Sequence, residues 1–248
     1  MLRGRTGIAV VGELLVFPDV DRLAQEAADR FAALAAAAVA ERDRFAVALA
    51  GGSTPEPVYA LLAQQPLARE LDWSRVEVFW GDERCVPPDH SDSNYRMARQ
   101  SLLRHVPIPG GKVHRIKGKL DPAEAAAAYR LELQEVMGGG GRFDLVLLGL
   151  GADGHTASLF PGTGAVDERE RSVVPVYVEK LDSWRVTLTL PVINAAREVM
   201  FLVVGESKAA ALASVRAGQP LPAGMVQPRD GRLTWLVDRD AAASLAQG

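Results

Sequence analysis

Short apolar runs recur along this chain, each followed by a longer stretch of helical character, and this alternation limits the fold more than any other feature of the sequence. Strands are read at 14–17, 45–50, 76–80, 143–150, 185–190, 199–204 and 233–237. Helices are read at 19–42, from Pro55 onward, and at 93–105, 121–137 and 207–217. Runs this short and this apolar are strands covered on both faces, and helices between them let successive strands lie parallel. The expectation is an α/β protein with a mainly parallel sheet.

Punctuation in the sequence supports the boundaries. Asp121-Pro122-Ala123-Glu124 has the form of a capping box with proline in the first turn. Pro55 behind Ser53 and Thr54 reads as a helix start, with a hydroxyl as its cap. Gly138–Gly141 joins a helix to a strand in four residues, short enough for a connection within one domain. Residues 1–248 are therefore read as a single domain.

Composition excludes several functions. A formal net charge of −3 with no basic stretch argues against nucleic acid, whose backbone calls for a Lys/Arg patch. Cys85 is the only cysteine, so no internal disulfide and no thiolate zinc site can form, and it reads as a small filler. Ile8–Val11 follows a charged start but is cut short by Gly12 and Glu13, too early for a secretory leader. Phe31–Ala40 is far shorter than a membrane span. A cytoplasmic protein is expected.

Three polar loops follow apolar strands, at the strand ends where open α/β sheets bind ligands: Gly51–Pro55, Gly81–Pro87 and Gly149–Pro161. In the first, Gly51 and Gly52 allow close backbone approach to an anion, and Ser53 and Thr54 lead into a helix N-terminus. It lacks the lysine of a Walker loop, and a plain strand-to-helix turn fits it about as well. The second places Asp82, Glu83 and Arg84 together, which is either a solvated turn or a place for a polyhydroxylated, phosphorylated ligand. The third matches G-x-G-x-x-G at Gly149–Gly154, but Pro161 arrives too soon for the helix a dinucleotide site needs, so the match is read as accidental.

What the third loop retains is Asp153 and His155, two residues apart. A lone histidine is usually structural. Beside a carboxylate that fixes its tautomer, it can move protons near neutrality, and Asp153, Asp82 and Glu83 are the available partners. Backbone N–H groups of Gly149–Gly154 are candidate oxyanion donors. His90 lies in the second loop, while His105 and His114 read as peripheral. No paired-histidine spacing exists, so no metal is expected, and the interrupted G-x-G-x-x-G match leaves no nicotinamide site to expect. Arg185 at a strand start and Lys208 in the first turn of a helix are further cationic candidates, each unremarkable alone.

ALAGGSTP (48–55), VFWGDERCVPPDHSDSNYRMA (78–98), FDLVLLGLGADGHTASLFPG (143–162) and RVTLTLPVINAA (185–196) resemble the 6-phosphogluconolactonases, within the wider group that includes the glucosamine-6-phosphate deaminases. The stretches are long, in family order, and spread over most of the chain. The resemblance implies a three-layer α/β/α sandwich with a Rossmann-like sheet. It further implies cofactor-free hydrolysis of 6-phospho-D-glucono-1,5-lactone in the oxidative pentose phosphate pathway. It assigns acid–base work to His155 with Asp153 beside it, the phosphate to Ser53, Thr54, Arg185 and Lys208, and the sugar to Arg84. The implied partner is a small phosphorylated lactone, bound by a monomer or weak homo-oligomer.

One departure separates the relatives. Deaminases of this group carry a glutamate shortly after the loop histidine, where this chain has Leu159-Phe160-Pro161. A deaminase or isomerase is thus the weaker reading. A non-catalytic sugar-phosphate sensor is weaker still, since such a chain is expected to carry a DNA-binding segment.

Overall fold

The computed structural model describes residues 12–138 and 141–245. The leader-like segment read at Ile8–Val11 and part of the Gly138–Gly141 connection lie outside the described residues. Six strands form one sheet in the order β1 (Glu13–Phe17), β9 (Arg232–Asp238), β8 (Glu198–Val203), β5 (Leu145–Gly149), β2 (Phe45–Leu49), β3 (Val76–Trp80). Every neighbouring pair is parallel. The residues of β2, β3 and β8 are all buried, which requires cover on both faces of the sheet. This cover comes from helices, as the alternation predicts.

The first helix, α1 (Val20–Arg42), starts where the Asp19 side chain accepts the Arg22 N–H at 2.9 Å, and it packs against β1, β2 and β9. α2 (Glu56–Leu62) and α3 (Leu67–Glu70) join β2 to β3. α4 (Asn94–Ala98) continues through a wider turn to Leu103, so the stretch read as one helix at 93–105 changes its winding halfway. α5 (Pro122–Met137) begins at Asp121, whose carboxylate accepts the N–H groups of Ala123 and Glu124. α6 (Leu190–Ile193) and α7 (Ala209–Arg216) complete the set.

Two expectations change. The strand read at 185–190 is β7 (Ser183–Leu188), and it is not part of the parallel sheet. It forms a separate antiparallel sheet in the order β4 (Asp82–Arg84), β7, β6 (Val173–Val178). β4 lies inside the second polar loop. Three charged residues can pair as a strand there because the Asp82 and Glu83 carboxylates are satisfied internally: Asp82 by Ser158 and Asn94, Glu83 by Ser93 and three backbone N–H groups.

The strand order places the site. From β2 the chain moves outward to β3, then returns to lay β5 on the other side of β2. Ligands bind at such a reversal, outside the carboxyl ends of the strands. β2 and β5 pair only through Val47–Leu145 and Ala48–Val146, so their carboxyl ends part and a crevice opens between them.

Candidate active site

A cavity of about 430 Å3 fills that crevice. Its walls include Gly51, Gly52, Ser53 and Thr54 after β2, Asp82 and Arg84 after β3, and Gly149–Gly151 and His155 after β5. Arg185 from β7 and Lys208 after β8 close it. All three polar loops meet here, together with both isolated cationic candidates. Asp153 does not line this cavity. It stands behind His155 and borders a second groove of about 930 Å3 with Phe160 and Lys180.

Two buried tyrosines hold the first two strand ends. The Tyr59 hydroxyl accepts the Ala50 N–H at 3.0 Å and donates to the Ala50 carbonyl at 2.8 Å. The Tyr129 hydroxyl does the same for Trp80, at 2.8 and 2.9 Å. Burial raises both phenol pKa values far above their ordinary range, so these hydroxyls stay protonated. Each latch sits immediately before a site loop.

In the first loop, no side chain caps α2, which begins at Glu56 with Pro55 in the capping position. The expected hydroxyl cap is therefore absent, because Ser53 and Thr54 belong to a turn that precedes the helix. They line the cavity instead. Gly51 must lack a Cβ here, since one would overlap the Asn94 side chain. Asn94 itself donates to the Asp82 carbonyl at 2.9 Å and shares the cavity wall.

The third loop forms turns and no helix, as Pro161 dictates. His155 Nδ1 lies 2.5 Å from Asp153 Oδ1. Burial would raise the Asp153 pKa, but hydrogen bonds from Lys180 and His155 outweigh it and hold this carboxyl far below the usual range. An ionised Asp153 can only accept, so Nδ1 carries the proton and Nε2 is the basic nitrogen. Burial lowers the His155 pKa, against the pull of Asp153, and Lys180 acts in the same direction as burial. The imidazole stacks on Phe160, with ring centroids 4.0 Å apart.

Of the three carboxylates read as partners, Asp153 alone pairs with the imidazole among the described residues. Asp82 Oδ2 accepts from Ser158 at 2.5 Å, and Glu83 anchors the start of α4. Two of the expected oxyanion donors are occupied within their own loop. The Gly151 N–H donates to the His155 carbonyl and the Gly154 N–H to the Gly151 carbonyl, at 2.8 and 2.9 Å.

Arg84 and Arg185 sit directly opposite each other across β4 and β7. Like charges at opposed positions are unfavourable. Both Nε atoms are also buried without a partner. Lys208, in a 3-10 turn leading into α7, adds a third cation to the same cavity. The cavity is thus built to receive an anion.

Residues 18–235 match the family described as glucosamine-6-phosphate isomerases/6-phosphogluconolactonase. The chain belongs to this family. It is 45% identical to a 6-phosphogluconolactonase of a Synechocystis species, over 84% of this chain and 88% of that one. A 6-phosphogluconolactonase of a Nostoc species is 42% identical over 93% and 97% of the two chains. The solved 6-phosphogluconolactonase of Trypanosoma cruzi superposes with a TM-score of 0.87 at 32% identity, covering 97% of this chain and 99% of that one.

The remaining histidines lie elsewhere. His90 is exposed and accepts the Asp92 N–H at 3.2 Å, and His105 is also exposed. His114, read as peripheral, is buried between Glu77 and Glu132, at 2.8 and 3.0 Å, and stacked on Phe79. Among the described residues no group of three or more His, Cys, Asp or Glu is placed to hold a metal ion. Cys85 is half-buried, and burial pushes its thiol up to about 11, in keeping with a filler. No helix among the described residues is long and apolar enough to cross a membrane.

Sequence reading missed Asn94, Phe160 as the surface under His155, and Lys180. The first lies in the motif at 78–98, and the second in the Leu159-Phe160-Pro161 stretch that stands in place of the deaminase glutamate. Lys180 is carried by the turn between β6 and β7, and the alternation of Val174, Val176 and Val178 with Pro175 and Tyr177 is the signal that points to this hairpin.

Proposed function

We propose that residues 1–248 form one catalytic domain that hydrolyses 6-phospho-D-glucono-1,5-lactone to 6-phospho-D-gluconate, with His155 as the acid–base group. The observation that carries this reading is the His155–Asp153 pair at 2.5 Å on the wall of a cavity containing three cations. Neutral His155 takes a proton from water through Nε2 as the water oxygen bonds to C1. The C1–ring oxygen bond then breaks, and the imidazolium returns the proton to the leaving oxygen. Positioned proton transfer of this kind contributes about 10²–10⁴-fold.

The phosphate binds to Ser53, Thr54, Arg185 and Lys208, while Arg84 faces the sugar. Binding energy gathered there, away from C1, orients the lactone for attack. Phe160 supports hydrolysis over deamination: in the stretch where deaminases resembling this group carry a glutamate, this chain has an apolar ring, and it stacks on the imidazole.

The test is His155→Asn, assayed by acid release from freshly made lactone and corrected for spontaneous opening. The variant is expected to keep its fold and lose about 10²-fold or more in rate. A folded variant within a few-fold of the parent overturns the assignment, and ammonia release from glucosamine 6-phosphate would favour the deaminase reading.

A further inference from the structure

Lys180 lies in the 3-10 turn Glu179–Leu181 that joins β6 to β7, outside the parallel sheet and all three polar loops. Its ammonium ion-pairs with Asp153 Oδ2, while Asp153 Oδ1 takes the His155 Nδ1–H. Both carboxylate oxygens are therefore occupied, which fixes the plane of the group. The same ammonium lies 4.7 Å from the centroid of the Phe160 ring, on which His155 stacks. His155, Asp153, Lys180 and Phe160 form a closed ring of contacts. Five residues after Lys180, the same hairpin delivers Arg185 to the cavity.

We propose that Lys180 is a positioning residue for the His155 chemistry: seated on Phe160 and paired to Asp153, it fixes the carboxylate that in turn orients the imidazole. This rests on the reading of His155 as the acid–base group. A lysine that is 52% exposed would ordinarily make an ion pair of little consequence. Here its partner is a carboxylate already committed to the imidazole, so the pair acts on an atom that must be placed to within about half an ångström. The charged groups facing His155 are Asp153, Lys180 and, more distantly, Asp82. The Asp82 charge is taken up by Ser158 and Asn94, which leaves Lys180 as the cation that balances Asp153.

Lys180 does not line the cation-walled cavity, so its loss should separate kcat from KM. In Lys180→Met, kcat is expected to fall by about tenfold, with KM changed less than about twofold. Removing a positive charge near the imidazole also raises its proton affinity. The acid limb of kcat/KM should then move up by about half a pH unit, the size open to a half-exposed pair. Lys180→Arg keeps the charge and should restore both values, and NMR titration of the His155 ring should report the same shift directly. If Met at this turn disturbs folding, Lys180→Gln carries the same expectations.

A folded Lys180→Met or Lys180→Gln with the parent kcat and the parent acid limb overturns the inference. A fall in rate without any movement of the limb, unrescued by arginine, overturns it as well, because that pattern marks a structural role alone. His155→Asn, measured alongside, keeps the two readings apart. An active His155→Asn removes the acid–base assignment itself, whereas an inactive one beside an unaltered Lys180 variant removes only this inference.

Discussion

Gly151→Ala offers a way to displace the proposed base without replacing it. Gly151 lies outside the positive-φ region, so alanine meets no left-handed strain there. The obstacle is steric. A Cβ at this position would overlap the His155 imidazole and lie 2.7 Å from Asp153 Oδ1. The imidazole cannot yield while keeping its contacts, because Phe160 lies 4.0 Å from its face and Asp153 holds Nδ1 at 2.5 Å. It must rotate away and break the Asp153 bond, or the loop must shift. Overpacking of this kind costs about 1–3 kcal/mol, and for a chain of this length each kcal/mol lowers Tm by about 2–4 °C. His155 is at the surface of a cavity, so the cost should fall toward the lower end. The rate should suffer more, by about 10²–10⁴-fold, since a displaced base forfeits most of its contribution. Acid release from fresh lactone beside a thermal melt reads both quantities. A variant with the parent rate refutes the placement of His155. An equal collapse of rate and fold refutes the claim that the loop is loaded for chemistry more than for stability.

Three further outcomes follow from the site. Tyr59→Phe leaves the buried Ala50 N–H and carbonyl without partners and should cost about 1–3 kcal/mol, which a thermal melt reads as a fall of about 2–12 °C. An unchanged Tm would remove the latch. Arg185→Ala and Lys208→Ala should each weaken 6-phosphogluconate binding by about tenfold to a hundredfold, the worth of a charge-assisted contact. Calorimetry with full affinity retained would exclude that residue from the phosphate site. The acid limb of kcat/KM should fall below the ordinary histidine value of 6.5, because burial lowers the His155 pKa and the neutral form is the active one. A limb above that value would point to a different group.

The parallel sheet was legible because its strands are short, mostly apolar runs, as burial on both faces favours. The antiparallel sheet was not. β4 is Asp82, Glu83 and Arg84, which no propensity marks as a strand; its pairing depends on Ser158, Ser93 and Asn94, which approach only in the folded chain. β6 carries a valine alternation, but Pro175 within it weakens the strand signal. It is tolerated because β6 is an edge, where a missing N–H faces no partner strand. His114 was misread for a related reason: Glu77 alternates along β3 with apolar residues, and nothing local shows that it is buried beside a histidine 37 positions away.

The same contrast explains which parts of the site are legible in the sequence. Gly51–Thr54, Asp82–Arg84 and Asp153–His155 follow three strands that lie side by side at one end of the sheet, so locating the strand ends locates the residues. Lys180 obeys no such rule. It reaches Asp153 from a hairpin of the second sheet, and that hairpin is held against the first by β4, which continues β3 across Gly81 and pairs with β7. Arg185 shares the dependence, since its place opposite Arg84 is a consequence of the β4–β7 register. The second sheet thus supplies two cations to the site: Arg185 in the cavity wall and Lys180 behind Asp153. A change that slips the β4–β7 register by one residue would turn Arg185 to the opposite face. It would take the proposed phosphate-binding guanidinium out of the cavity while leaving the parallel sheet in place.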